Sequence, residues 1–136
     1  MSDWSKLDDR GVPVGYNFKP QYERTPRDAR ASIAAGAALL IDCRTKEEFE
    51  LVHIPGSVHI PLHELEDRID EIEPAQGQEV LVICHHGVRS MKAALALRQH
   101  GHPDAKSVAG GIELWSLAAD HSVPRYERGP GVLRLI

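Results

Sequence analysis

The run Val80-Leu81-Val82-Ile83 constrains this chain more than any other stretch. It is apolar throughout and mostly β-branched, with none of the alternation of a half-exposed strand. That pattern predicts a strand buried on both faces. Cys84-His85-His86-Gly87 follows at once, and then a helical run from Ser90 through Arg98. Cys84 is thereby placed at the carboxyl end of a buried strand, facing a helix N-terminus. In open α/β sheets that edge is where ligands bind. Free N–H groups and the positive dipole end of the helix both favour a thiolate over a thiol. Cys84 is therefore a candidate nucleophile in an anion cradle lined by backbone.

The rest of the chain supplies a sheet for this strand. Thr25-Pro26 reads as a helix start, with Thr as N-cap and Pro at the first helical position, and Gly36 as the stop. Ala38 to Cys43 reads as a buried strand. Thr45 caps a short helix from Lys46 to Val52, and Glu48 completes a capping box. Ser57 to Ile60 is a short strand ended by Pro61. Leu62, Leu65, Ile69 and Ile72 then fall at helical spacing. Lys106 to Ala109 is a brief strand, and Gly110-Gly111 leads into a last helix, Ile112 to Ala119. Strands alternating with helices predict an α/β fold, a mainly parallel central sheet of about five strands with helices on both faces.

At 136 residues the chain fits one domain. Residues 21–120 hold the alternating pattern. Residues 1–20 contain Gly11, Pro13, Gly15 and Pro20, show no period, and read as an irregular N-terminal arm. Residues 121–136 form a tail rich in Pro and Gly that ends Val132-Leu133-Arg134-Leu135-Ile136. This apolar end could dock on the body, dock on a second subunit, or stay disordered. A net charge of −4 argues against nucleic acid or an anionic membrane as partner. No apolar run approaches membrane-spanning length, so the expected location is cytoplasmic. Cys43 and Cys84 are then expected as reduced thiols, with Cys43 a small buried hydrophobe.

His85, His86, Gly87 and Val88 separate Cys84 from Arg89. A turn whose N–H groups converge on the sulfur forms an anion nest. Gly87 permits a positive φ, Arg89 adds a fixed positive charge at the rim, and Ser90 is placed to cap the following helix. Such a nest stabilises a thiolate and equally a persulfide anion.

This segment resembles the active loop of the rhodanese (thiosulfate sulfurtransferase) family, with its Cys-x-x-Gly-x-Arg-Ser pattern. Leu40-Ile41-Asp42-Cys43-Arg44 resembles the family's Asp-x-Arg strand end. Glu48-Phe49 followed by His53-Ile54-Pro55-Gly56-Ser57-Val58-His59-Ile60-Pro61 resembles its Glu-Phe…Gly-His-Ile-Pro-Gly-Ala-x-Asn-Ile-Pro stretch, with Val52 and His59 as departures. Gly110-Gly111-Ile112-Glu113-Leu114-Trp115 resembles its Gly-Gly…Trp segment. The resemblance implies the rhodanese-like three-layer fold and a two-step sulfur exchange. Cys84 takes a sulfane sulfur from a small anionic donor such as thiosulfate. The persulfide then hands it to a thiophilic acceptor: cyanide, a thiol or a protein. His85, His86, Gly87, Val88, Arg89 and Ser90 hold the donor and persulfide, Asp42 and Arg44 support them, and no metal or organic cofactor is required.

Three other readings compete. A cysteine phosphatase or arsenate reductase uses a Cys-x5-Arg cradle; here the arginine comes one residue sooner, and the tighter cup suits one added sulfur better than a phosphoryl group. A non-catalytic rhodanese-like interaction module usually lacks the cysteine, which is present here. A metal site is poorly served by adjacent Cys84, His85 and His86, whose spacing matches no common ligand pair.

Overall fold

The computed structural model describes residues 2–136. In chain order, β1 (Asp3–Leu7), β2 (Pro13–Val14) and β3 (Glu23–Arg24) precede α1 (Pro26–Ala34) and β4 (Ala38–Asp42). Then come α2 (Lys46–Leu51), β5 (Val58–His59), β6 (Glu79–Ile83), α3 (Val88–Arg98), β7 (Lys106–Val108), α4 (Gly111–Ala118), β8 (Tyr126–Gly129) and β9 (Val132–Leu135). Five strands form the central sheet in the order β3-β7-β6-β4-β5, all parallel. This is the α/β sheet the strand pattern predicts. From β4 the chain moves outward to β5, then returns to β6 and continues to the other edge. The switch point of the sheet therefore lies between β4 and β6, and Cys84 follows β6 directly.

The buried run alternates between two cores. Leu81 and Ile83 pack with Ala29, Ile112 and Trp115 on the face covered by α1 and α4. Val80, Val82 and Cys84 pack with Ala93, Ala94 and Leu97 of α3 on the other. In-register pairing of β4 with β6, from Ala38↔Glu79 to Asp42↔Ile83, sets Cys43 beside Cys84 at the sheet's carboxyl edge. Both thiols are free and buried. Thr45 and Glu48 form the expected capping box at the start of α2. No helix among the described residues is long and apolar enough to cross a membrane.

Two segments depart from expectation, and a third settles an open one. The helical spacing from Leu62 to Ile72 yields two 3₁₀ turns, Leu62–Glu64 and Ile69–Glu71, and no α-helix. The apolar residues point inward as a helix would place them, but the chain is tied to the end of β4, with Leu62 N–H bonded to the Cys43 carbonyl. The N-terminal arm is not irregular: β1 and β2 pair antiparallel. Asp8 folds the connection back, its carboxylate accepting the N–H groups of Arg10 and Val12. Val12 is fully buried, worth about 1.5–3 kcal/mol of apolar burial. Arg27 of α1 fastens the arm further, donating to the carbonyls of Asp9 and Ala118. The tail is likewise ordered: β8 and β9 form an antiparallel hairpin docked on the body, with Tyr126 buried.

Candidate active site

Cys84 ends β6 at the bottom of a cleft of about 510 Å³. Gly87 turns the chain with φ +102° and acts as N-cap of α3. Its N–H donates to Cys84 Sγ at 3.0 Å. The amides of Val88, Arg89 and Ser90 open α3 and have no protein acceptor among the described residues. Ser90 is thus inside the helix and does not cap it. Its buried hydroxyl lies 3.2 Å from Cys84 Sγ and 2.7 Å from Ser107 Oγ.

The carbonyl side of the loop is held as firmly as the amide side. α4 opens with two glycines at positive φ, and its first free amides donate backwards: Ile112 N–H to the Cys84 carbonyl at 2.8 Å, Glu113 N–H to the His85 carbonyl at 3.1 Å. A Cβ on Gly111 would sit 2.4–2.5 Å from these same carbonyl groups, so only glycine permits the approach. With the Cys84 and His85 carbonyls turned onto α4, the loop presents the Gly87 amide to the sulfur.

A buried carboxylate organises the arginines. Arg89 donates Nη1 and Nη2 to the two oxygens of Glu48, at 2.6 and 2.9 Å. Arg128 donates to Glu48 Oε1 at 3.0 Å, and the Tyr126 hydroxyl donates to Oε2 at 2.5 Å. Burial alone pushes the Glu48 carboxyl up, but the bonds from Arg89 and Tyr126 outweigh it and hold the group well below the usual carboxylate range. Burial in turn opposes the charge of Arg89, and the bond from Glu48 more than restores it. Beneath them Arg44 forks onto Asp42, at 2.9 and 2.6 Å, and reaches the Val52 carbonyl and the Tyr126 hydroxyl. Asp42 and Arg44 are fully buried and face each other, not the cleft.

The two histidines of the turn differ. His85 is buried, stacked on Tyr126 with ring centroids 3.9 Å apart, and its Nε2 lies 3.1 Å from the Tyr126 carbonyl. A carbonyl only accepts, so Nε2 carries the proton. Burial, and then the neighbouring His86, lower the His85 pKa to about 4, so the ring offers the cleft no positive charge near neutrality. His86 is exposed and meets the edge of Trp4 from the N-terminal arm. Val88 lines the cleft, also exposed. Burial pushes the Cys43 thiol up, which keeps it protonated.

Of the residues the sequence singles out, Cys84 to Ser90, Asp42 and Arg44, the fold sets the Gly87 N–H and the Ser90 hydroxyl against the Cys84 sulfur, and His85, His86, Val88 and Arg89 line the same cleft. Sequence reasoning missed Tyr126 and Arg128, and it read Glu48 only as a cap. Gly129-Pro130-Gly131 between Tyr126 and Val132-Leu133-Arg134-Leu135 was the available hairpin signal.

The rhodanese-like domain model matches residues 25–118. The thiosulfate sulfurtransferase GlpE of Pseudomonas syringae pv. syringae is 37% identical over 95 residues, which cover 70% of this chain and 88% of that protein. The putative sulfur carrier protein YrkF of Bacillus subtilis is 40% identical over 77 residues, 57% of this chain and 40% of that one. A rhodanese-related protein from Thermoplasma volcanium superposes with a TM-score of 0.64 at 30% identity, over 72% of this chain and 93% of that one. The chain belongs to the rhodanese-like domain family.

Proposed function

We propose that this protein is a sulfurtransferase that moves sulfane sulfur through a persulfide on Cys84. One observation carries the reading: Cys84 Sγ lies at a sheet switch point and accepts the Gly87 amide at 3.0 Å, and the amides of Val88, Arg89 and Ser90, which open the next helix, have no protein acceptor among the described residues. That set suits an anion one atom longer than a thiolate. In the first step the thiolate attacks the outer sulfur of thiosulfate. The S–S bond of the donor breaks, and sulfite leaves with its electron pair. The product is the Cys84–S–S⁻ anion, stabilised by charge-assisted bonds from the loop amides. Arg89, held by Glu48, contributes field rather than a proton, because its pKa is raised. In the second step an acceptor nucleophile attacks the outer sulfur, and the thiolate of Cys84 is restored.

GlpE, which is named a thiosulfate sulfurtransferase, and YrkF, named a sulfur carrier, both support sulfur handling by this fold. The test is intact mass after incubation with thiosulfate and then with cyanide. The expected result is one added sulfur, removed by cyanide and absent from Cys84→Ser. Sulfur retained by Cys84→Ser would reject Cys84 as the carrier.

A further inference from the structure

Residues beyond 118 lie outside the matched family domain, yet they close one side of its cleft. Tyr126, Glu127, Arg128 and Ile136 line the same 510 Å³ space as Cys84. The charges around it are unequally committed. Arg89 spends both terminal nitrogens on Glu48. Glu113 is paired with Arg125, and Glu127 with Arg134. Arg128 makes one bond, from Nη1 to Glu48, and its Nε and Nη2 have no acceptor among the described residues. Its side chain is 44% exposed. The same cleft also presents two exposed apolar side chains: Val88 is 67% and Ile136 59% exposed. Thiosulfate has no apolar part to use such side chains.

We propose that Arg128 anchors the carboxylate of a small organic thiol, which accepts the sulfur from Cys84. The inference rests on the sulfur-transfer reading of the site. The thiol enters toward Cys84, its stem lies along Val88 and Ile136, and its carboxylate takes the free nitrogens of Arg128 as a bidentate pair. The acceptor sulfur attacks the outer persulfide sulfur, and the bond from that sulfur to Sγ breaks. The electron pair returns to Sγ as thiolate, and the thiol proton passes to the transferred sulfur. An organic persulfide leaves.

The experiment uses full-length protein loaded with sulfur by thiosulfate. Unloading is followed by intact mass with 3-mercaptopropionate and with 3-mercaptopropanol, its uncharged counterpart. The parent is expected to prefer the carboxylate thiol. Arg128→Gln is expected to lower that preference roughly tenfold, the range of one charge-assisted bond, and Arg128→Lys to restore part of it. A preference unchanged in Arg128→Gln overturns the inference, even if both rates fall, because a disturbed Glu48 slows both acceptors alike. A parent without preference overturns it too. If thiosulfate loads no sulfur on the parent, the sulfur-transfer reading itself fails, and this is seen before any acceptor is added.

Discussion

Replacing Glu48 with Gln removes one charge from the site and almost no volume. The carboxylate is 1% exposed and accepts from Arg89, Arg128 and Tyr126. In Glu48→Gln the forked bond from Arg89 loses one acceptor and its opposite charge, and the guanidinium stays largely buried. Breaking a buried pair from one side costs about 3–5 kcal/mol. Gln keeps one oxygen and Arg89 retains some solvent contact, so about 3 kcal/mol is expected at pH 7. The sign with pH follows from the depressed Glu48 carboxyl. Its stabilisation is complete above its ordinary pKa of 4.5 and is lost as pH falls toward the lower value of the folded protein. At pH 3.5, one unit below the unfolded value, the unfolded parent has taken up a proton that the native parent refuses. The parent should therefore lose about 1.4 kcal/mol that the Gln variant does not lose. Urea unfolding of both proteins at pH 7 and pH 3.5 measures the gap directly, and other acid-sensitive groups cancel in the difference. A gap that stays constant between the two pH values, or widens at pH 3.5, rejects Glu48 as an ionised partner of Arg89.

Two further outcomes are expected. Gly111→Ala drives a methyl into the carbonyls of Cys84 and His85, at 2.4–2.5 Å, in a left-handed backbone. It should cost at least 1–3 kcal/mol and abolish sulfur loading; a variant with parental melting temperature and loading would show that α4 does not hold the loop. Ser90→Ala removes the hydroxyl between Cys84 Sγ and Ser107. Alkylation of Cys84 by iodoacetamide at pH 7 should slow by roughly tenfold, and an unchanged rate would mean that the hydroxyl does not stabilise the sulfur anion.

The sheet and the position of Cys84 were legible because they depend on local pattern. A buried β-branched run, a glycine turn and a helix start are adjacent in the chain. Thr45 and Glu48 were legible as a capping box for the same reason, three residues apart. What Glu48 does for the site was not, because Arg89, Tyr126 and Arg128 reach it from 41, 78 and 80 residues away. No periodicity encodes a meeting across such distances. The segment from Leu62 to Ile72 shows the opposite limit. Its spacing is correct for a helix, but tertiary ties broke it into single 3₁₀ turns. The arm departs from its expected irregularity because its Gly and Pro residues sit where short strands turn back on themselves, and the tail takes the first of the three outcomes its sequence leaves open, docking on the body.

The grip of α4 on the cysteine loop also sets an order of events during synthesis. Cys84 and His85 leave the ribosome well before Ile112 and Glu113, whose amides hold their carbonyls. Glu48 leaves earlier still but waits for Tyr126. The growing chain thus carries Cys84 before the contacts that shape its loop exist, and those contacts form only as α4 and the β8–β9 hairpin close. An unfolded copy holds the same cysteine with no amide from Gly87 fixed beside its sulfur.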